Sequence, residues 1–361
     1  MAAFHNLSSI FGGLFKSEPS PQVRMIHTVV WIAAYLVIFY VFRSVLPEKF
    51  FRDAEGLAQM IQTQKIDANA FGSMVIFYNA MPSWLVPHLP AIVGTLSLAV
   101  VLPYIRSYWI MLLMPFLFYP FVVFNFMAPS KETLVGIMAL IVYRLCRNPH
   151  WEIPAFVGIV LMYALYGALV RPYYLLILVL FMGFIFMART PVAIWLPCVL
   201  FVLVGMIFLP KEVFWEIQSS RDMYALSQSQ AAGGHVVRTY FYNLLPPINV
   251  LNFFINTVWG VLVLVCPFLV AFTINELVMM LNVALYASAA LAGFSKMQGA
   301  ARLPYVLFMA HILTLAQFEP DLGSYLRHFS SVLVLIAPGF QFLFRVNQKQ
   351  PAQAQAAAAL S

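Results

Sequence analysis

Between Tyr173 and Leu209 a single residue, Arg189, carries a charge, and comparably greasy runs recur along the chain. Such runs leave few folds open. In lipid every backbone N–H and C=O needs a partner within the protein, which only helices and closed barrels provide. A barrel strand alternates apolar and polar residues over about ten positions, whereas these runs are continuous and of helix length. Hydrophobic residues fill 63% of 361 positions and mean hydropathy is +0.87, against roughly 45–50% apolar residues in soluble domains. The chain therefore reads as all-α, a polytopic transmembrane helical bundle.

Spans are expected near residues 25–45, 89–105, 108–128, 132–145, 153–170, 173–188, 192–209, 250–272, 276–294, 304–318 and 330–344. That is about ten or eleven helices, several shorter than the roughly 20 residues that cross a 30 Å hydrocarbon core. Residues 1–24 contain no secretory-type apolar core, so an uncleaved cytoplasmic segment is expected there. Residues 25–346 form the expected membrane domain. Residues 347–361, rich in Ala and Gln, are expected to be a disordered cytoplasmic tail. Cys146, Cys198 and Cys266 lie in or at the end of apolar runs and read as small packing residues.

The formal charge of +7 does not point to nucleic acid, because the basic residues are scattered singly at helix ends. There they set topology, cytoplasmic connections being enriched in Lys and Arg. Arg106, Arg144, Arg147, Arg189, Lys296, Arg302, Arg345 and Lys349 mark cytoplasmic turns on this reading. The outer connections are then residues 46–88, 210–249 and 318–329, with Arg171 also outside. Alternation fails between Asn249 and Lys296, so part of that region is expected to be re-entrant or interfacial.

Those outer connections hold most of the groups that could do chemistry. In Arg52-Asp53-Ala54-Glu55, Asp53 and Glu55 either take a proton from an acceptor hydroxyl or hold a divalent metal. Carboxylates in a helix's first turn explain the same pattern without any site. Arg171 in Arg-Pro-Tyr-Tyr, if it does not merely snorkel, is suited to gripping phosphate bidentately. Residues 211–249 carry Arg221, Arg238 and Tyr240 around Gly233-Gly234-His235, a sequence fit either for a segment closing over substrate or for a solvated loop. Asn249, Asn252 and Asn256 line a sugar groove or cap broken helix ends. In Phe318–His328 the groups Glu319, Asp321, Arg327 and His328 crowd between apolar spans, which is costly unless they are paired or functional. His328 is suited to acid–base work, and His311 to hydrogen-bonded packing.

Taken together, Arg52-Asp53-Ala54-Glu55 in the first outer connection, the long polar stretch with Arg221 and Arg238, NLLPPINVLNFFIN and EPDLGSYLRH resemble integral-membrane glycosyltransferases of the C type. More narrowly, they resemble bacterial polysaccharide repeat-unit polymerases of the Wzy and EpsG kind. The resemblance implies joining of oligosaccharide repeat units carried on undecaprenyl diphosphate into exopolysaccharide, capsule or O-antigen. It places the chain in the bacterial inner membrane with its site at the outer leaflet. Lipid-linked oligosaccharide is the implied substrate, membrane lipids and a chain-length regulator are the implied partners, and no cofactor is required. It further implies that Arg52, Arg171, Arg221, Arg238 and Arg327, with Tyr240 and Asp321, bind the diphosphate-linked donor, while Asp53, Glu55 or His328 handles the acceptor proton. A flippase for lipid-linked oligosaccharide and a polysaccharide-modifying acyltransferase are the alternatives. No glycine-rich phosphate loop ending in Lys and Ser or Thr is present.

Overall fold

The computed structural model describes residues 18–46, 51–63, 70–117, 122, 125–231, 240–265, 273–319 and 321–343. Among these there is no strand, and one isolated backbone bridge pairs Tyr240 with Asp321. Helix α1, Pro21–Val37, starts at Ser20, whose hydroxyl accepts from the Val23 amide, and Pro21 presets its first turn. It runs on through a π turn, Ile38–Phe42, and a 3-10 turn to Val45. The connection expected as a loop at 46–88 instead contains two helices, α2 (Arg52–Thr63) and α3 (Ala70–Asn79). Then come α4 (Leu89–Val101), α5 (Tyr108–Leu117), α6 (Lys131–Cys146), α7 (Glu152–Leu169), α8 (Tyr173–Arg189) and α9 (Val192–Ile207). The polar stretch after α9 is likewise no open loop over its first part. It forms α10, Lys211–Ala231, turned 100° from α9 at Pro210, whose missing N–H ends the preceding helix.

Beyond the bridge at Tyr240 lie α11 (Val250–Val265), α12 (Ile274–Lys296) and α13 (Leu303–Phe318). Thr273 and Glu276 close a capping box on α12. The described residues end in a broken element: α14, Leu322–Ser331, turns 71° at Val332 into a 3-10 segment, Leu333–Gly339, and a further turn, α15, Phe340–Leu343. Among the described residues four helices are long and apolar enough to cross a membrane, or up to six if each bent pair is one span. The chain is a helical membrane protein.

Its axis is α13. In that helix 72% of the span is buried, against 17–33% in the other three long helices. By contrast α9 has no buried residue and turns Phe201 and Phe208 outward. Apolar rings at the perimeter and His311, Arg221, Glu132 and Asn282 within invert the arrangement of a water-soluble protein, as a lipid solvent requires. Small residues let helices close on the axis. A Cβ on Gly260 would stand 2.5 Å from the Ala316 carbonyl oxygen, and one on Gly293 would stand 1.9 Å from the Tyr305 ring.

The two ends of the bundle differ in charge. At one end Arg24 donates to the Pro103 carbonyl, Arg106 meets Glu18, and Arg189 pairs with Glu152. Gly299, in left-handed conformation at φ 55°, brings the turn after α12 against the same Glu152. This basic end thus gathers Arg24, Arg106, Arg144, Arg147, Arg189, Lys296 and Arg302. The opposite end carries Glu132, Arg171, Arg221, Glu319 and Asp321. Because Asn256 on α11 is tied to the mixed-charge end and Lys296 closes α12 at the basic end, α11 and α12 together make one net crossing. That geometry accounts for the failed alternation in the charge pattern.

Candidate functional site

At the mixed-charge end four ionisable side chains meet below the surface. Glu132 comes from the first turn of α6, which is fixed by its N-cap: Ser130 Oγ accepts from the Thr133 amide at 3.3 Å. The preceding turn is pinned from both sides. Tyr78 Oη accepts from the Ser130 amide at 3.0 Å and donates to the Ser130 carbonyl at 2.9 Å, while Tyr35 Oη donates to the Phe126 carbonyl at 2.6 Å. Arg171 comes from the three-residue turn between α7 and α8, where its own amide donates to the Tyr166 carbonyl at 3.1 Å. Glu319 follows the last turn of α13. His328 lies on α14, whose start is set by Asp321 accepting from the Ser324 amide at 2.9 Å.

The four converge. Arg171 Nη2 donates to Glu132 Oε1 at 3.0 Å, and Nη1 donates to Tyr173 Oη at 3.0 Å. Nη1 also lies 3.2 Å from His328 Nδ1. The imidazole stands between carboxylates, Nδ1 being 3.2 Å from Glu132 Oε1 and Nε2 3.4 Å from Glu319 Oε1. Ser324 Oγ donates to the other oxygen of Glu319. All four side chains are nearly enclosed, with 4–10% of their area exposed. Burial opposes the charge on Arg171, but the Tyr173 phenol and Glu132 beside it outweigh that and hold its pKa above the usual range. Asp321, outside the spans, is shifted up by burial, with Glu319 adding to the effect.

No protein-family model, curated protein or solved structure matches the chain. Its chemistry has to be read from the geometry alone.

Of the residues singled out from sequence, Arg171 and His328 enter this cluster directly. Arg327 is close enough for its charge to act on both Glu132 and Asp321. Asp321 caps α14 and pairs through its backbone with Tyr240. Arg221 goes elsewhere. Fully buried on α10, it donates to the Ala316 carbonyl at 3.0 Å and to Asn243 Oδ1, and Asn243 in turn donates to Asp222. Those contacts leave it a fastener between α10, the chain before α11, and the end of α13. Of the three amides at 249, 252 and 256, only Asn256 is buried, and all three bond to the protein itself. Asn249 Oδ1 accepts from the Asn252 amide, Asn252 donates to the Pro246 carbonyl, and Asn256 donates to Leu245 and Gln218. They act as caps and ties.

Glu55 lies apart from the cluster, exposed on α2, in a cleft of about 630 Å³ shared with Arg43, His88, Tyr40 and Pro129. Arg43 stands over the Phe51 ring at 5.3 Å, and Tyr40 Oη lies 3.1 Å from His88 Nδ1. Pro129 connects the cleft wall to the turn that presents Glu132. Arg52 and Asp53 open α2, but their side chains, like Arg238, Gly233, Gly234 and His235, lie outside the described residues. His311 donates to or accepts from Tyr163 Oη at 2.8 Å in the interior. Among the described residues no group of three or more His, Cys, Asp or Glu could hold a metal.

Sequence reasoning passed over Glu132, Glu319 as a partner of His328, and Arg43. Glu132 stood only as the first residue of an expected span. The available signal was its position after a break, in a membrane chain where acidic residues are scarce.

Proposed function

We propose that the chain is a membrane glycosyltransferase that joins sugar units carried on a polyprenyl diphosphate into polysaccharide, acting at its mixed-charge end. The observation that carries this reading is the imidazole of His328 held between Glu132 and Glu319, next to a guanidinium. An imidazole flanked in this way can take a proton and have the resulting cation stabilised on either side. In the transfer, the acceptor hydroxyl oxygen bonds to the anomeric carbon of the donor sugar. The bond from that carbon to the diphosphate oxygen breaks, and its electron pair leaves with the diphosphate. The proton passes to His328. Negative charge developing on the leaving group favours nearby cations, and Arg327, whose charge acts on Glu132 and Asp321, takes that role. Arg171 acts one step back, since Glu132, Tyr173 and His328 already engage it; it orients the base.

The basic residues at the other end support the same orientation. Short connections rich in Arg and Lys face the cytoplasm, which would turn the His328 site toward the outer leaflet of a bacterial inner membrane. The lipid-exposed flank of α1 at Val41 and Val45, next to the cleft, offers an apolar wall for a carrier chain.

A flippase is the second reading, favoured by one observation. The element Leu322–Leu343 is a broken helix inside the bundle, and discontinuous helices line transport sites in many carriers. Lipid-linked glycan analysis separates the two. In cells lacking the chain, complementation by His328→Ala or Glu319→Gln should leave lipid-linked units at the outer leaflet without polymer. Loss of those units from the outer leaflet would point to the flippase, and wild-type polymer from both variants would remove His328 and Glu319 from the mechanism.

A further inference from the structure

A second cavity, of about 170 Å³, opens at the basic end, far from the His328 cluster along α13, and is lined by Tyr104, Tyr143, Arg147, Tyr305, Pro338 and Gln341 among others. Tyr305 is 1% exposed, and its hydroxyl has no hydrogen-bond partner. Its ring is not free to carry that hydroxyl elsewhere. Gly293 packs directly on it, a Cβ there falling 1.9 Å away, and a Cβ on Gly339 would come within 3.3 Å. A buried hydroxyl left unmatched costs about 1–3 kcal/mol, so a structure that fixes one against a cavity wall presents it to an occupant.

The remaining wall has the same polarity. Tyr104 Oη and Tyr143 Oη lie 2.8 Å apart. One hydroxyl hydrogen serves that bond, which leaves the other free to point into the cavity. Gln341 adds an amide and Arg147 a guanidinium at the mouth. No Asp or Glu lines the space. The Arg147 guanidinium among neutral donors, with no carboxylate beside it, disfavours a metal ion and suits an anion. The volume discriminates further. It equals roughly five or six waters and falls below the roughly 300–1,000 Å³ of sites that enclose a drug-sized ligand, so a nucleotide or disaccharide is excluded and a single tetrahedral anion is accommodated.

We infer that this cavity is a binding site for a phosphate group, held by Tyr305, the Tyr104–Tyr143 pair, Gln341 and Arg147. Lys296 and Arg302 on the neighbouring turn add to the positive field at its entrance. The phosphate belongs either to a lipid headgroup at that membrane surface or to free phosphate. The inference does not depend on the glycosyltransferase reading.

The test uses the purified full chain with two probes. Inorganic phosphate is titrated in neutral detergent against chloride at equal ionic strength, following thermal stability. Phosphatidic acid and phosphatidylglycerol are compared with phosphatidylcholine by native mass spectrometry. Tyr305→Phe removes one oxygen and keeps the packed ring, and Arg147→Gln alters an exposed residue, so the second variant serves should the first not fold. Loss of one hydrogen bond to a charged group is worth about tenfold in affinity. Tyr305→Phe should therefore weaken binding by roughly that factor, and Arg147→Gln by at least as much. Stabilisation by inorganic phosphate assigns the site to the free anion, and retention of anionic lipid alone assigns it to a headgroup. If neither probe distinguishes wild type from Arg147→Gln or Tyr305→Phe, the site does not bind phosphate.

Discussion

Arg171 shows how far single residues can be read before a structure is known. Its place at the end of an apolar run fitted a snorkelling anchor, and the Arg-Pro-Tyr-Tyr turn fitted a phosphate ligand. Which groups it would meet was not legible, because Glu132 and His328 approach from helices about 40 and 160 residues away in the chain. The same holds for Arg221, read as a phosphate ligand and found fully buried with its terminal nitrogens donating to Ala316 and Asn243. Local sequence shows that a charge must be satisfied; the fold decides by what. The Glu132–Arg171 contact allows a direct check at this scale. Removing one partner of a buried ion pair leaves an uncompensated charge and costs about 3–5 kcal/mol, whereas replacing both with apolar groups is often neutral. Glu132→Gln should therefore lower thermal stability in detergent sharply, and Glu132→Gln with Arg171→Met should recover most of it. Equal losses in the single and double variants would show that the pair is not coupled.

Among the elements, α8 and α9 were visible from hydropathy alone, since both are apolar almost throughout. Helix α10 was not. Its inward stripe, Phe214, Gln218, Arg221 and Ala225, has helical spacing but is half polar, so a search for apolar periodicity passes over it. Gln218 explains why polarity faces inward. It donates to the Phe253 carbonyl, to Thr257 and to Gln317, and accepts from Asn256, joining α10, α11 and α13 in one network. Networks of this sort hold only while every member is matched. Arg221→Ala should cost about 2–4 kcal/mol through the lost bonds and the void. Glu216→Gln on the exposed side of the same helix should change stability by less than about 0.5 kcal/mol. Thermal unfolding of the two variants side by side decides whether α10 is fastened to the bundle as described.

For the molecule as a whole, the all-α class and the asymmetry of charge were both legible, because lipid forbids unpaired backbone and short basic turns set orientation. The single net crossing between Asn256 and Lys296 was legible only as a contradiction in the charge count. Orientation is checked by accessibility: in a chain with Cys146, Cys198 and Cys266 replaced by Ala, a cysteine at Glu55 should react with an impermeant maleimide added to intact spheroplasts. A cysteine at Arg144 should react only after permeabilisation. The reverse pattern would invert the molecule and place the His328 cluster on the cytoplasmic side.

Since the helix that most others surround, Leu303–Phe318, follows Glu132 and Arg171 in the chain by a long stretch, the ribosome releases it well after them. Spans emerging earlier must wait in the bilayer with Glu132 and Arg171 already inserted but without the imidazole of His328 that packs against both. Late closure of that kind leaves an interval in which a quality-control protease can find the chain, so a chain cut before Leu303 should be degraded rather than persist as a smaller stable bundle.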